Sequence, residues 1–127
     1  MQKDFDNWNN EKKKLNRLTL GPRFHEREVW FAKLGVNVKY EQDGGKEFLR
    51  PVLIVKKFSK ELAWAVSLSR TKKRGKFYHV FKFQGDDSVA VLSQLRVVDA
   101  RRLFYYKGRI SHKEFEKIKE SLRKFLK

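Results

Sequence analysis

Short segments in which apolar and polar residues alternate, or in which β-branched and aromatic residues cluster, are typical of a β protein. Five of them predict strands, over residues 28–34, 51–58, 62–68, 76–83 and 88–93, and residues 95–98 either continue the fifth strand or form a short last one. The fourth segment alternates with period two, so one face of it carries Phe77, His79, Phe81 and Phe83.

Helical spacing of apolar residues occurs near the two ends of the chain. Residues 3–18 predict a short amphipathic helix whose apolar face carries Phe5, Trp8, Leu15 and Leu18. Toward the C-terminus, Ser111 and Glu114 have the spacing of a capping box. The helical pattern then continues through Phe115, Ile118, Leu122, Phe125 and Leu126.

The order of these elements predicts a mainly β fold. Strands that follow one another without helices of 10–15 residues between them favour a small antiparallel barrel or sheet, here with a helix at each terminus. We expect residues 1–24 to form a helical extension and residues 25–127 the β domain. The segment from Gly35 to Arg50 has no apolar periodicity, and a loop of that length in a small domain is typically functional or disordered. We expect it to be functional.

The excess of positive charge is concentrated in the middle of the chain. The 127 residues include 31 Lys and Arg against 15 Asp and Glu, a formal net charge of +16. Residues 50–82 hold ten basic residues and one acidic residue, Glu61. The densest run predicts a surface that meets a polyanion, and it consists of Arg70, Thr71, Lys72, Lys73, Arg74, Gly75 and Lys76.

Aromatic residues stand next to this basic run. Phe77, Tyr78 and Phe81 favour single-stranded nucleic acid as the partner, because bases stack on rings while Lys and Arg follow the backbone. A solvated, charge-rich loop of an ordinary protein is the alternative, and alternating aromatics also build strand cores.

Several chemistries are poorly supported by the residues. The chain has no Cys, which excludes disulfides, thiol catalysis and Cys-based zinc sites. His25, His79 and His112 are widely separated, so we expect no metal site, and no cofactor motif is present. The first 20 residues lack an apolar signal region and no segment is apolar enough to cross a membrane, so the cytoplasm is the expected location.

Polar residues at the ends of the predicted strands form a pattern in sequence. In order along the chain it comprises Arg27-Glu28-Val29-Trp30, Tyr40-Glu41-Gln42-Asp43-Gly44, Arg50-Pro51-Val52-Leu53-Ile54-Val55, Leu68-Ser69, Ser93-Gln94-Leu95-Arg96-Val97-Val98-Asp99 and Arg102-Leu103. Together these segments resemble the PemK/MazF-like family of type II toxin–antitoxin endoribonucleases. The resemblance covers the chain from about Arg27 to the C-terminus.

The resemblance implies an SH3-like antiparallel β-barrel with a C-terminal helix, to which this chain adds the helix at residues 3–18. It also implies a homodimer, single-stranded mRNA as substrate, cleavage without a metal, and a cognate antitoxin that occupies the RNA groove. Metal-free cleavage requires a fixed cation where charge accumulates as the 2′-OH attacks the adjacent phosphate.

The resemblance assigns roles to individual residues. Arg50 matches the catalytic arginine, and the restricted φ angle of Pro51 stiffens the backbone beside it. We weight charge stabilisation above proton transfer for this arginine, because the ordinary pKa of the side chain lies above about 12. Glu41 and Gln42 match a loop pair that flanks the site, with Glu41 expected to orient Arg50 or to accept the 2′-OH proton.

Two positions depart from the family pattern. Ser69 stands where the family usually has threonine; its hydroxyl can still donate to a phosphoryl oxygen, and Thr71 is an alternative donor. Lys39 stands where glycine is common and adds a charge to the loop. Gln94 and Arg96 match a family segment expected to bind substrate or to support the barrel.

The residues leave a second interpretation open. The same fold would also suit a non-catalytic module that binds nucleic acid or that poisons a protein target such as gyrase. The serine at position 69 and the net charge of +16 are compatible with both interpretations.

Overall fold

The computed structural model describes residues 21–34, 49–71 and 73–126. The described strands are β1 (Glu28–Lys33), β2 (Leu49–Lys57), β3 (Leu62–Ser69), β4 (Tyr78–Phe83), β5 (Asp86–Asp99) and β6 (Leu103–Arg109). A 3₁₀ turn, Ala100–Arg102, joins β5 to β6, and the C-terminal helix α1 spans His112–Phe125. The mainly β fold with a C-terminal helix is therefore confirmed, while the helix expected at residues 3–18 lies outside the described residues.

The strands form one antiparallel sheet in the order β4-β5-β3-β2-β1-β6. This corrects the expectation of a closed barrel, because within the described residues β4 and β6 are the edges and do not pair. The edges nevertheless approach each other: Gln84 Nε2 donates to the carbonyl oxygen of Lys107 at 2.7 Å. A Cβ atom on Gly108 would lie 3.0 Å from the Phe83 ring, so a glycine permits this approach.

The strand boundaries differ from the sequence expectation at two places. The segments at 88–93 and 95–98 belong to one continuous strand, β5, of 14 residues. Strand β6 was not predicted, because its sequence LFYYKGR has neither regular alternation nor turn signals at both ends. A two-residue turn at Gln84 and Gly85 connects β4 to β5, and both residues have positive φ, as hairpin turns of the primed types require.

The central strands β2 and β3 are buried on both faces, which accounts for the apolar run after Pro51. One face carries Leu53 and Val55, which pack with Val66, Phe81 and the apolar stripe of α1. That stripe consists of Phe115, Ile118 and Leu122. Helix α1 begins as the capping box predicts, since the Ser111 hydroxyl accepts the Glu114 backbone N–H at 3.2 Å.

The opposite face forms a second apolar cluster. It contains Val52 and Ile54 of β2, Ala63 and Ala65 of β3, Trp30 and Ala32 of β1, and Val98 of β5. Phe24, Ala100 and Leu103 cover it from the chain entry and from the 3₁₀ turn. Burial on both faces leaves only the ends of β2 and β3 available to polar side chains.

The buried carboxylate of Glu28 connects the segment that precedes β1 to the sheet. Glu28, only 6% exposed, accepts the backbone N–H of His25 at 2.7 Å and the indole N–H of Trp30 at 3.0 Å. The Arg109 guanidinium of β6 lies 3.6 Å away. A buried charge is tolerated when such partners satisfy it, so Glu28 fixes β1 against β6.

No helix in the described ranges is long and apolar enough to span a membrane.

Replacing Glu28 with Ala should destabilise the fold by about 2–5 kcal/mol, because the His25 and Trp30 donors would lose their buried acceptor. Urea unfolding followed by tryptophan fluorescence measures this free energy. Glu120→Ala is the control, since Glu120 makes only an exposed pair with Arg123 and its loss should cost less than about 1 kcal/mol. Equal costs for the two variants would contradict the role given to Glu28.

The carboxylate of Asp99 should make stability depend on pH in the acid range. Hydrogen bonds from the Arg101 side chain and backbone lower the pKa of Asp99 to about 2 in the folded protein, from an ordinary value of 3.8. Its contribution is therefore present above about pH 4 and is lost as the pH falls toward 2. Urea unfolding of the wild type and of Asp99→Asn should show a difference at pH 6 that narrows below pH 4; a constant difference would contradict the assignment.

Candidate functional site

Arg50 lies at the start of β2, where the strand emerges from the apolar layers. Side chains alternate between the two faces along a strand, so Arg50 lies on the same face of β2 as Val52 and Ile54, which belong to the second apolar cluster. Its partner across the sheet is Ala32 of β1. Val52, Ile54 and Ala32 are buried, whereas Arg50 is exposed, so its guanidinium is accessible to a ligand from solvent.

Two serines at the end of β3 project toward the same face. Ser67 pairs with Val52, so continuing the register by two residues brings Ser69 opposite Arg50. The Ser69 Oγ accepts the backbone N–H of Thr71 at 3.1 Å, which holds the side chain in place. Because this bond uses a lone pair, the hydroxyl hydrogen remains able to donate to a ligand.

An irregularity in β5 completes the site. Val66 of β3 pairs with Leu95 of β5, whereas the next residue, Ser67, pairs with Val91. The intervening residues Leu92, Ser93 and Gln94 therefore bulge out of the ladder with β3. Such bulges are common beside active sites, since they redirect side chains that regular pairing would place elsewhere.

These ends of strands enclose an open cavity of about 680 Å³, here called the groove. Its lining consists of Leu34, Arg50, Ser67, Leu68, Ser69, Lys73, Val91, Ser93, Gln94, Leu95 and Arg96. Three cations are present in this lining, which contains no acidic side chain among the described residues. The groove is thus suited to an anionic ligand that also offers hydrogen-bonding groups.

The structure brings together five of the residues singled out in the sequence: Arg50, Ser69, Lys73, Gln94 and Arg96. Four others, Arg70, Thr71, Arg74 and Lys76, lie on the β3–β4 loop and do not line the groove. Lys39, Glu41, Gln42 and Lys72 lie outside the described residues, so their placement in the site stays a prediction.

Sequence reasoning missed Ser67, Ser93 and Leu34. The period of a strand could have revealed Ser67, because it shares a face with Ser69. Ser93 enters the groove through the β5 bulge, which leaves no signature in a sequence of alternating apolar residues.

The aromatic residues beside the basic loop have different environments. Phe81 is only 3% exposed and belongs to the apolar core, so of the two interpretations given to these aromatic residues the strand core applies to Phe81. Phe77 stacks on Phe125 at the end of α1, with ring centroids 5.3 Å apart. Tyr78 lies under the Lys73 ammonium at 5.6 Å, so its ring contacts one residue of the groove lining.

The three histidines lie in separate settings. His25 contacts Glu28, His79 lies 3.5 Å from Glu114, and His112 contacts Arg27 at 2.7 Å. In the part of the chain that the structure describes, no three His, Asp or Glu side chains form a group able to hold a metal ion.

Comparison with known proteins gives one match at the level of sequence families. Residues 25–126 match the model of the PemK-like, MazF-like toxin of type II toxin–antitoxin systems. No curated protein matches the sequence significantly.

Several solved structures share the fold at low sequence identity. An endoribonuclease from Mycobacterial species, solved in complex with its cognate antitoxin, has a TM-score of 0.63 at 17% identity over 84% of this chain and 95% of that one. A MazF from Deinococcus radiodurans has a TM-score of 0.60 at 16% identity over 83% and 96%. A MazF toxin from Mycobacterium tuberculosis has a TM-score of 0.59 at 14% identity over 79% and 96%.

Proposed function

Since the chain belongs to the PemK-like, MazF-like toxin family of type II toxin–antitoxin systems, we propose that it is an endoribonuclease that cleaves single-stranded mRNA without a metal ion. The observation that carries this proposal is the groove, where Arg50, Lys73 and Arg96 accompany the Ser69 hydroxyl. The fold shared with an endoribonuclease solved with its antitoxin supports it.

The reaction proposed for this groove is an internal transesterification. The ribose 2′-oxygen attacks the adjacent phosphorus, the bond from phosphorus to the 5′-oxygen breaks, and the products carry a 2′,3′-cyclic phosphate and a 5′-OH. The 2′-OH gives up its proton, and the leaving 5′-oxygen takes one up. Negative charge grows on the phosphoryl oxygens during attack, so preorganised donors in the groove accelerate this step.

Arg50 is the main candidate for stabilising that charge. Its planar guanidinium can hold two phosphoryl oxygens at once, and it stays charged throughout the reaction. The stiff backbone at Pro51 and the pairing of Arg50 with Ala32 of β1 fix the backbone position from which this side chain extends. A fixed donor needs less reorganisation in the transition state than a mobile one.

Ser69 is proposed to donate to a second phosphoryl position. The Thr71 backbone N–H occupies one lone pair of its hydroxyl oxygen, and the hydroxyl hydrogen then points elsewhere. The proton acceptor for the 2′-OH is a separate role, and we propose Glu41 of the preceding loop for it. Its acidic side chain would complement the cations of the groove.

The rest of the site is proposed to hold the RNA strand. Lys73 and Arg96 suit the phosphates, while Gln94 carries both a donor and acceptors with which to contact base edges. The loop cations Arg70, Lys72, Arg74 and Lys76, together with Lys39 and Gln42, are proposed to extend the contact along the backbone. These contacts would act in the cytoplasm, where mRNA is found.

Two partners of the protein itself complete the proposal. We propose a homodimer and a cognate antitoxin that covers the groove; the antitoxin bound to the similar Mycobacterial endoribonuclease supports the second. A net charge of +16 favours an antitoxin with an acidic contact surface.

One observation keeps a second function open. At the position where the family usually has threonine this chain has Ser69, which lacks the γ-methyl group that restricts χ1 and relies on the bond from the Thr71 N–H to hold its hydroxyl. A non-catalytic toxin that binds nucleic acid or traps gyrase is the alternative with which this departure is also compatible.

Arg50→Ala should reduce cleavage of a long single-stranded RNA by about 100- to 1,000-fold, because the phosphate would lose its main charged donor. The assay runs in EDTA and maps the fragment ends, which should be cyclic phosphate and 5′-OH. Arg123→Ala, a change of the same type on the exposed face of α1, is the control and should cleave normally. Cleavage retained by folded Arg50→Ala would refute this site; intact RNA with the wild type and gyrase trapped on DNA would favour the alternative.

Ser69→Ala should reduce cleavage by about 10- to 100-fold, the value of one hydrogen bond to a charged group. Ser67→Ala removes the same hydroxyl from the neighbouring position on the same face and should change the rate much less. Ser69→Thr should keep the activity, since the hydroxyl is preserved. A larger loss in Ser67→Ala than in Ser69→Ala would show that Ser67, and not Ser69, makes this hydrogen bond.

A further inference from the structure

A second open cavity is formed by the end of β1, the end of β5 and the 3₁₀ turn that leads into β6. It has a volume of about 380 Å³ and is lined by Lys33, Asp99, Arg101, Arg102 and Phe104. Lys33 at the end of β1 lines this cavity, and the next residue along the chain, Leu34, lines the groove. We call it the flanking cavity.

The sheet register sets the separation between the two cavities. Ala32 of β1 pairs with Arg50 on one side and with Leu103 on the other. Neighbouring strands are about 4.8 Å apart, so the Cα atoms of Arg50 and Leu103 are roughly 10 Å apart. Leu103 lies between Arg102 and Phe104, which line the flanking cavity, so an RNA strand held at Arg50 needs to cross only about two strand spacings to approach it.

The charge of the flanking cavity suits phosphate. Its only carboxylate among the described lining residues, Asp99, is held by Arg101, with the Nη2 to Oδ2 distance 2.8 Å and the Nε to Oδ1 distance 3.0 Å. Arg102 and Lys33 supply two further cations. The Arg102 Nη1 lies 3.5 Å from the Lys33 carbonyl oxygen, which directs the guanidinium across the end of β1.

Phe104 gives the cavity an exposed ring. The β1–β6 register shifts between the pairs Phe31 with Tyr105 and Ala32 with Leu103, so Phe104 is the extra residue at the irregularity. It is 53% exposed although its neighbour Leu103 is only 4% exposed. A large ring turned outward among arginines matches the way proteins bind single-stranded nucleic acid, with bases on rings and phosphates on cations.

We propose that the flanking cavity binds the nucleotides that adjoin the scissile segment of the same RNA strand. Phe104 stacks on a base, and Arg102 with Lys33 contacts a phosphate. This inference rests on the proposed function, because the strand is the one cleaved in the groove. It adds a binding site that extends RNA recognition beyond the groove and thereby makes affinity depend on RNA length.

The test measures binding of 2′-O-methyl RNA, which lacks the attacking hydroxyl and is not cleaved. A short oligonucleotide fills the groove alone and a long one reaches both cavities. Phe104→Ala should weaken binding of the long RNA by about 5- to 100-fold and leave the short one unchanged, since one base loses its stacking platform. Phe104→Tyr keeps the ring and should restore the affinity.

The salt dependence of RNA binding distinguishes the phosphate contact of Arg102 from the base stacking of Phe104. Arg102→Ala should reduce the slope of log affinity against log salt by about 0.7, the value for one phosphate contact in a single strand. Phe104→Ala should leave that slope unchanged. The controls Lys117→Ala and Arg123→Ala remove exposed cations from α1, whose residues are not among the described lining of either cavity, and should have no effect on either quantity.

Each further result has a definite meaning. Photo-crosslinking of 4-thiouridine RNA to the peptide that contains Phe104 would support direct contact. If the wild type binds and cleaves RNA while Phe104→Ala and Arg102→Ala behave like the controls, this inference alone is overturned. If the folded wild type neither binds nor cleaves RNA, the proposed function fails as well. If Phe104→Ala instead shifts sedimentation from dimer to monomer with unchanged RNA affinity, the surface is a contact between copies of the chain.

Discussion

Strands β2 and β3 are buried on both faces, and this burial decides where polar side chains can lie. Leu53 and Val66 face the apolar stripe of α1, while Ile54 and Ala65 face the chain entry and the 3₁₀ turn. Apolar layers on both sides exclude charged groups from the middle of these strands, because an uncompensated charge there would be costly. Polar chemistry is therefore confined to the ends of the strands, where Arg50 stands.

Irregular strand pairing positions much of that chemistry. The bulge in β5 turns Ser93 and Gln94 toward the groove, and the register shift between β1 and β6 turns Phe104 toward the flanking cavity. Regular ladders would have alternated these residues between faces. The buried network of Glu28 holds β1 against β6 and so supports the strand that separates the two cavities.

The distribution of ion pairs explains why the groove has a positively charged lining. Several carboxylates of the described residues are engaged away from the groove: Asp99 with Arg101, Asp87 with Lys82, and Glu116 and Glu120 within α1. The described lining of the groove contains cations without such partners in its own wall. A concave surface of one sign concentrates the electrostatic field, which attracts a polyanion and makes its binding sensitive to salt.

Local spacing and composition are enough to predict the mainly β fold, the C-terminal helix with its Ser111 cap, the cationic middle of the chain and the family. The tertiary structure decided that the sheet stays open, that Phe81 is core, and that Ser67 and Ser93 join Arg50. Those outcomes depend on strand register and on bulges. Register is set by long-range packing between strands, and no periodicity within one segment encodes it.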